Sequence, residues 1–480
     1  MKKGILGFLN VAIKSVLIVV LFFAAFTYLN KVFYNRDVYK GEFFHNLPEN
    51  SIDAIVLGSS HAQYSFVPAV FYEDTGLYSY VLGSACQPLE VSVEMLKEAL
   101  KTQSPKLVIL EGYTSLPLHI TSCLTDGCYV IAEYQMRGEE KFNTIKYLPE
   151  EKKESYYNDY YSYHNEWKIL EDWSIFLPSV ALRTNNSIDD DFGYIPAEPT
   201  YPISNFWTPI VQDVETGKLV EQDENSLNEI LKICKENGIE LFLYKTSVDS
   251  ISTEDWATLK ALWKWADDNG VKYLDILSNA EALGYYTQVH ADGFHSYING
   301  STYITDLIAE QINELDIEFN HKEDETLEQL CRKKAQAYTA DVIHYEHDPL
   351  KVLKRLENSN GYVMIRYIPS IYVPSTKMKN AIINVGFNDI DFSKSYYAII
   401  HDGEILYSGI SEYEGELVGE KVSINKDGMT IGDYPLTSKG LLTIGFLSEN
   451  GINNAYIDIE YRESNWIVSG YNYEDLIIQW

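Results

Sequence analysis

The stretch Ile52-Asp53-Ala54-Ile55-Val56-Leu57-Gly58-Ser59-Ser60-His61 decides the fold. An apolar run that ends in Gly-Ser-Ser reads as a strand buried on both faces, followed by a tight turn that opens a helix. Working outward, four more apolar runs at 78–82, 107–110, 240–244 and 271–276 alternate with helical spacing over 89–101, 225–237, 253–269 and 299–315. Gly238 and Gly270 stand as C-terminal stops of two of these helices. Strands alternating with helices are the mark of βα units and a parallel sheet, so the predicted class is α/β, a three-layer α/β/α sandwich.

Residues 115–205 break this rhythm with a Tyr-rich, charged, Pro-punctuated stretch. It is too long for a bare loop in a compact domain and reads as an insertion over one end of the sheet. Beyond a charged helical stretch at 323–337, segments of β type alternate with the turn dipeptides Asp402-Gly403, Asp427-Gly428 and Asn450-Gly451. These predict a β-rich accessory domain. The expected organisation is an N-terminal anchor over 1–35, an α/β domain over 36–345 and the β-rich domain over 346–480.

The anchor is predicted from residues 5–29, which carry Lys14 as their only charge. As a helix they would reach roughly 37 Å, against a hydrocarbon layer of about 30 Å, with Lys14 snorkelling toward the headgroups beside Lys2 and Lys3. Residues 1–36 hold five basic residues and no acidic one, so the positive-inside tendency places the rest of the chain outside. No small-x-small cleavage site follows the apolar run. The expectation is a single-pass protein of the cell membrane with an extracytoplasmic catalytic domain.

The whole chain has 38 Lys plus Arg against 70 Asp plus Glu, a formal charge of −32 that repels phosphate backbones and argues against a nucleic-acid partner. Its five cysteines form an odd set that excludes a complete disulfide framework. Cys123 and Cys128 either close a small loop or remain free thiols. No CxxC pair and no HExxH helix is present, so no metal site and no cofactor is expected.

Ser60 stands where a strand-to-helix turn lifts a hydroxyl to the C-terminal edge of a parallel sheet, the edge at which such sheets bind ligands. A serine needs an imidazole to take its proton and a carboxylate to orient that imidazole. His61 is the local candidate, although neighbouring side chains tend to diverge. Val289-His290-Ala291-Asp292-Gly293-Phe294-His295, before the helix at 299–315, supplies both partners as Asp292 and His295.

The first-block Gly-x-Ser after strand one and the last-block Asp-x-x-His before the terminal helix resemble the SGNH/GDSL esterase superfamily. That resemblance implies a flavodoxin-like three-layer sandwich, with Ser60 as nucleophile, Asp292 as orienting carboxylate and His295 as general base. It also implies Gly83, in Tyr80-Val81-Leu82-Gly83, as the second-block glycine whose amide joins that of Ser60 in an oxyanion hole. The sequence departs from the pattern at Ser59, where an aspartate is usual. It departs again at Leu110-Glu111-Gly112-Tyr113-Thr114, which lacks the third-block asparagine and leaves one oxyanion donor unassigned.

The anchor, the insertion and these departures resemble a membrane-anchored branch that handles acyl groups on cell-surface polymers, similar to D-alanyl transfer and alginate-acetylation proteins. In that branch, His164 in Tyr163-His164-Asn165-Glu166-Trp167 is similar to a His-x-x-Trp stretch. His61, Tyr113 and His164 are therefore candidate substrate-binding residues. Segments 396–400 and 440–444 resemble the β-rich interleukin-like EMT inducer module, and no catalytic constellation shows there.

The function these readings imply is a serine esterase or O-acyltransferase, moving or removing an acyl group, acetyl above all, on a cell-envelope polysaccharide. A transfer reaction on the outer face implies a multi-spanning membrane partner that supplies the acyl group. The alternative is a catalytically inactive SGNH scaffold for polysaccharide binding or assembly.

Overall fold

The computed structural model describes residues 2–33, 43–116, 139–145, 191–197, 211–248, 251–283, 295–319, 323–346, 348–371, 373–438, 440–462 and 465–468. The chain forms two compact units, Met1–Leu47 with Tyr129–Asp190 and Pro48–Cys128 with Asp191–Trp480. The first contains helix α1 (Lys2–Phe33), on which the consecutive residues Val16 to Phe23 are each more than half exposed. Among the described residues no helix is long and apolar enough to cross a membrane, so the spanning segment expected over 5–29 is not supported. Lys14 interrupts the apolar run, and the charge-free part from Val16 to Leu29 covers only about 21 Å as a helix.

The second unit is built on five parallel strands, β1 (Ala54–Gly58), β2 (Ser79–Gly83), β3 (Leu107–Glu111), β4 (Glu240–Lys245) and β5 (Lys272–Asp275), in the order β2-β1-β3-β4-β5. The first strand is interior, pairing Ile55 with Tyr80 on one side and with Val108 on the other. Its residues are buried on both faces, as the unbroken apolar run requires. Ala54, Val56, Leu107, Ile109, Phe242 and Tyr244 point to one face and share a core with Ile304, Ile308 and Ile312.

Helices α2 (Ser60–Ser65), α3 (Pro68–Thr75), α4 (Leu89–Ala99), α5 (Glu221–Asn237), α6 (Thr253–Asn269), α7 (Ile298–Asn313) and α8 (Glu325–Tyr345) complete this part. Helices α3, α7 and α8 pack together, as α4 and α5 do, which gives the sheet helical partners on both sides. Gly238 and Gly270 cap α5 and α6 in the left-handed region at φ 65° and 70°, as the sequence predicts.

The strands from β6 (Tyr362–Tyr367) to β15 (Asn465–Val468) form a separate antiparallel region. It holds a six-stranded sheet, β15-β14-β13-β6-β7-β8, and a four-stranded one, β12-β11-β10-β9. Here β7 is Tyr396–His401, β8 Glu404–Gly409, β9 Tyr413–Leu417, β10 Glu420–Asn425, β11 Gly428–Ile431, β12 Tyr434–Thr437, β13 Leu442–Leu447 and β14 Asn454–Arg462. Asp402-Gly403 and Asn450-Gly451 fall between the antiparallel pairs β7–β8 and β13–β14, and Asp427-Gly428 closes the β10–β11 hairpin with Gly428 as the first residue of β11. Asp402 and Gly403 both take positive φ, 49° and 73°, the conformation a tight hairpin turn needs.

Helix α9 (Pro349–Leu356) joins this region to the α/β layers through Arg355, whose side chain is 2 % exposed. Its guanidinium is hydrogen-bonded to Glu73 on α3 and to Asp306 on α7, with Asp74 also within ion-pair distance. Burial pushes the Glu73 and Asp306 carboxyls up, and the Arg355 charge opposes that rise.

Candidate active site

At the C-terminal end of β1 the chain has no room for side chains. A Cβ on Gly58, at φ +152°, would lie 2.9 Å from the Ala62 Cβ and 3.0 Å from the Glu111 Cβ. Ser59 then caps α2, its hydroxyl accepting the His61 amide at 3.3 Å, and Ser60 becomes the first helical residue. This turn follows the C-terminal end of β1, which lies between β2 and β3, the edge at which open sheets of this kind take ligands.

His295, just before α7, reaches that hydroxyl from 235 residues away in sequence. Its Nε2 lies 2.8 Å from the Ser60 Oγ. This is hydrogen-bond distance, and it is the contact that a serine and its general base require. His61, the local alternative, stacks on Tyr113, ring centroids 3.7 Å apart and planes at 24°. The His61 ring is 5.4 Å from that of His295, and Tyr64 flanks the same imidazole at 4.7 Å.

Gly83 ends β2 directly beside Gly58 in the sheet register. A Cβ there would lie 3.0 Å from the Gly58 carbonyl oxygen and 3.2 Å from that of Ser59, so only a glycine lets the backbone come this close to the serine turn. Asp292 and His164 lie outside the described residues. His61 and Tyr113 are within them but only 3 % and 5 % exposed, which leaves little of either ring for a ligand.

Where the resemblance implies an asparagine, the chain after β3 makes a short 3₁₀ turn, Gly112–Ser115, over a buried ion pair. The Glu111 carboxylate accepts the Tyr113 amide at 2.8 Å and lies 3.3 Å from the Lys245 Nζ, and both charged side chains are 0 % exposed. Lys245 also donates to the Thr246 carbonyl at 2.7 Å and sits 5.2 Å from the centre of the Tyr113 ring. Burial pushes Glu111 up and Lys245 down, and their mutual attraction opposes both shifts. Sequence reasoning missed this pair. A lysine closing the apolar strand Leu241-Phe242-Leu243-Tyr244 was the available signal.

Among the described residues one group of side chains has metal-ligand spacing, His401, Asp402 and Glu449 in the β-rich region. Arg332 already spans its two carboxylates at 3.2 Å each, so the group reads as an ion-pair network. Cys86 is disulfide-bonded, whereas Cys234 and Cys331 are buried free thiols. The Cys123–Cys128 loop considered from sequence falls outside the described residues.

No known family profile matches the chain, and no curated protein matches it. Among solved structures the chain is similar to a candidate acylhydrolase from Bacteroides fragilis NCTC 9343, at 12 % identity and a TM-score of 0.28, over 57 % of this chain and 94 % of that one.

Proposed function

We propose that the protein is an extracytoplasmic serine esterase or O-acyltransferase of SGNH type, with a flavodoxin-like catalytic layer, acting on an acylated cell-envelope polysaccharide. The observation that carries the reading is the 2.8 Å contact between Ser60 Oγ and His295 Nε2 at the C-terminal edge of a parallel sheet. The strand order β2-β1-β3-β4-β5 supports the flavodoxin-like assignment.

In this mechanism the Ser60 oxygen attacks the acyl carbonyl while His295 accepts the hydroxyl proton. The amides of Ser60 and Gly83 donate to the oxyanion. The tetrahedral species collapses as His295 returns the proton to the departing sugar oxygen, leaving acyl-Ser60. Water, or a second sugar hydroxyl, then attacks that ester with His295 again as base, and Ser60 is regenerated. Asp292 takes the orienting role on the strength of its spacing from His295 and of the family resemblance. Transfer to a sugar hydroxyl on the outer face calls for a membrane partner that supplies the acyl group. The disulfide at Cys86 supports an oxidising compartment, and the exposed apolar residues Val16 to Phe23 of α1 support attachment at a membrane.

One observation favours the second reading, a catalytically silent scaffold that binds or assembles polysaccharide. The position expected to carry an oxyanion donor is occupied by Gly112 and a Tyr113 ring packed against His61. Turnover separates the two. The full chain is incubated with p-nitrophenyl acetate and with an acetylated oligosaccharide, beside Ser60→Ala. Loss of both activities in the variant supports the enzyme, and equal rates for the two proteins on both substrates support the scaffold.

A further inference from the structure

The segment Asp191–Ala197, late in the 115–205 stretch, ties the two halves of the site together. It crosses the edge of β2, where the Phe192 carbonyl accepts the Val81 amide at 2.8 Å. Gly193, at φ +85°, is required there, because a Cβ would lie 2.1 Å from the Val81 oxygen. Tyr194 then enters the core beside Val67, Val70 and Ile298, and its hydroxyl meets the Ser301 hydroxyl of α7 at 2.7 Å.

The next three residues make two backbone hydrogen bonds. The Ile195 amide donates to the Gln63 carbonyl at 2.8 Å, three residues after Ser60. The Ala197 carbonyl accepts the Ile298 amide at 2.9 Å, three residues after His295. Each bond satisfies a group that a helix end leaves unpaired, a late carbonyl of α2 and the first amide of α7. Between them stands Pro196, exposed, with its φ fixed by the ring and its predecessor held to extended backbone. A second tie, from the Val67 amide to the Thr305 hydroxyl at 2.9 Å, joins the N-cap of α3, just after α2, to the third turn of α7.

We propose that Ile195-Pro196-Ala197 is a positioning brace that sets the distance between the nucleophile and its base, with Pro196 as its stiffening residue. This inference rests on the esterase reading of Ser60 and His295. In this proposal Pro196 acts only through the two bonds beside it.

The test compares Pro196→Gly and Pro196→Ala with the wild-type full chain. Two readouts are taken, the steady-state kinetics on p-nitrophenyl acetate and the ¹⁵N imidazole resonances of His295, assigned by its absence in His295→Ala. Because misplacing a catalytic group by about 1 Å costs on the order of 10² in rate, Pro196→Gly is expected to lower kcat at least tenfold with KM little changed. Pro196→Ala should fall between it and wild type, with the His295 resonance displaced in the same order. A folded Pro196→Gly with kcat within twofold of wild type, or with a lowered kcat and an unmoved His295 resonance, overturns the brace. If Pro196→Gly does not fold, Pro196→Ala is judged by the same two criteria. If wild type turns over no ester, the functional reading fails by itself, and the His295 resonance alone decides for or against the brace.

Discussion

Replacing Lys245 by methionine isolates the buried ion pair beneath the site. The Nζ lies 3.3 Å from the Glu111 carboxylate, and Coulomb's law at an effective dielectric of about 20 gives roughly 5 kcal/mol for that separation. Lys245→Met removes the partner and leaves a carboxylate 0 % exposed, a change that costs about 3–5 kcal/mol in buried pairs. Without the ammonium, the burial that already pushes Glu111 up is opposed only by the backbone hydrogen bonds the carboxylate accepts, so the group rises further. A carboxyl whose folded pKa lies above its unfolded one is more stable protonated, so the variant's stability should fall as pH rises and recover in acid. Adding Glu111→Gln removes the buried charge, and the double variant should regain most of the loss. Urea unfolding followed by circular dichroism at several pH values measures all three proteins. A Lys245→Met loss below about 1 kcal/mol, or a double variant as unstable as the single one, would refute the assignment of a charged, mutually supporting pair.

Gly83→Ala places a methyl 3.0 Å from the Gly58 oxygen and should cost on the order of 10² in kcat with the fold retained, read in steady-state kinetics beside the melting temperature. Arg355→Met leaves Glu73, Asp74 and Asp306 without their cation at the junction with the β-rich region, and calorimetry should record a loss of about 3–5 kcal/mol. Asp223, buried beside Glu90, has its carboxyl pushed up to about 7. Its contribution to stability is therefore present in acid and lost between about pH 4 and pH 7. Asp223→Asn should flatten that slope and raise the melting temperature at pH 8.

The parallel sheet was legible because β1 and β3 are buried on both faces and so read as unbroken apolar runs. The turns were legible through the residues they demand, Gly238 and Gly270 in the left-handed region and Asp402-Gly403 in a hairpin. Ser60 and His295 stood out because each follows turn chemistry at an expected end of a strand or helix, and the structure brings them together.

What escaped depends on tertiary pairing. Glu111 and Lys245 lie 134 residues apart, and each alone reads as the solvent-facing end of a strand. The Asp191–Ala197 segment carries no periodicity, since it works through backbone groups that any residue but proline offers. At the N-terminus the apolar run was evident and does form α1, although among the described residues no helix is long and apolar enough to cross a membrane.

The most direct measurement is covalent capture of the nucleophile. The full chain is treated with a fluorophosphonate probe, which phosphonylates an activated serine, and the modified peptide is mapped by mass spectrometry. One label per chain on Ser60, abolished in Ser60→Ala and strongly slowed in His295→Ala, is the predicted result. Labelling of another serine, or equal labelling of wild type and His295→Ala, would contradict the claim that these two side chains form one catalytic unit.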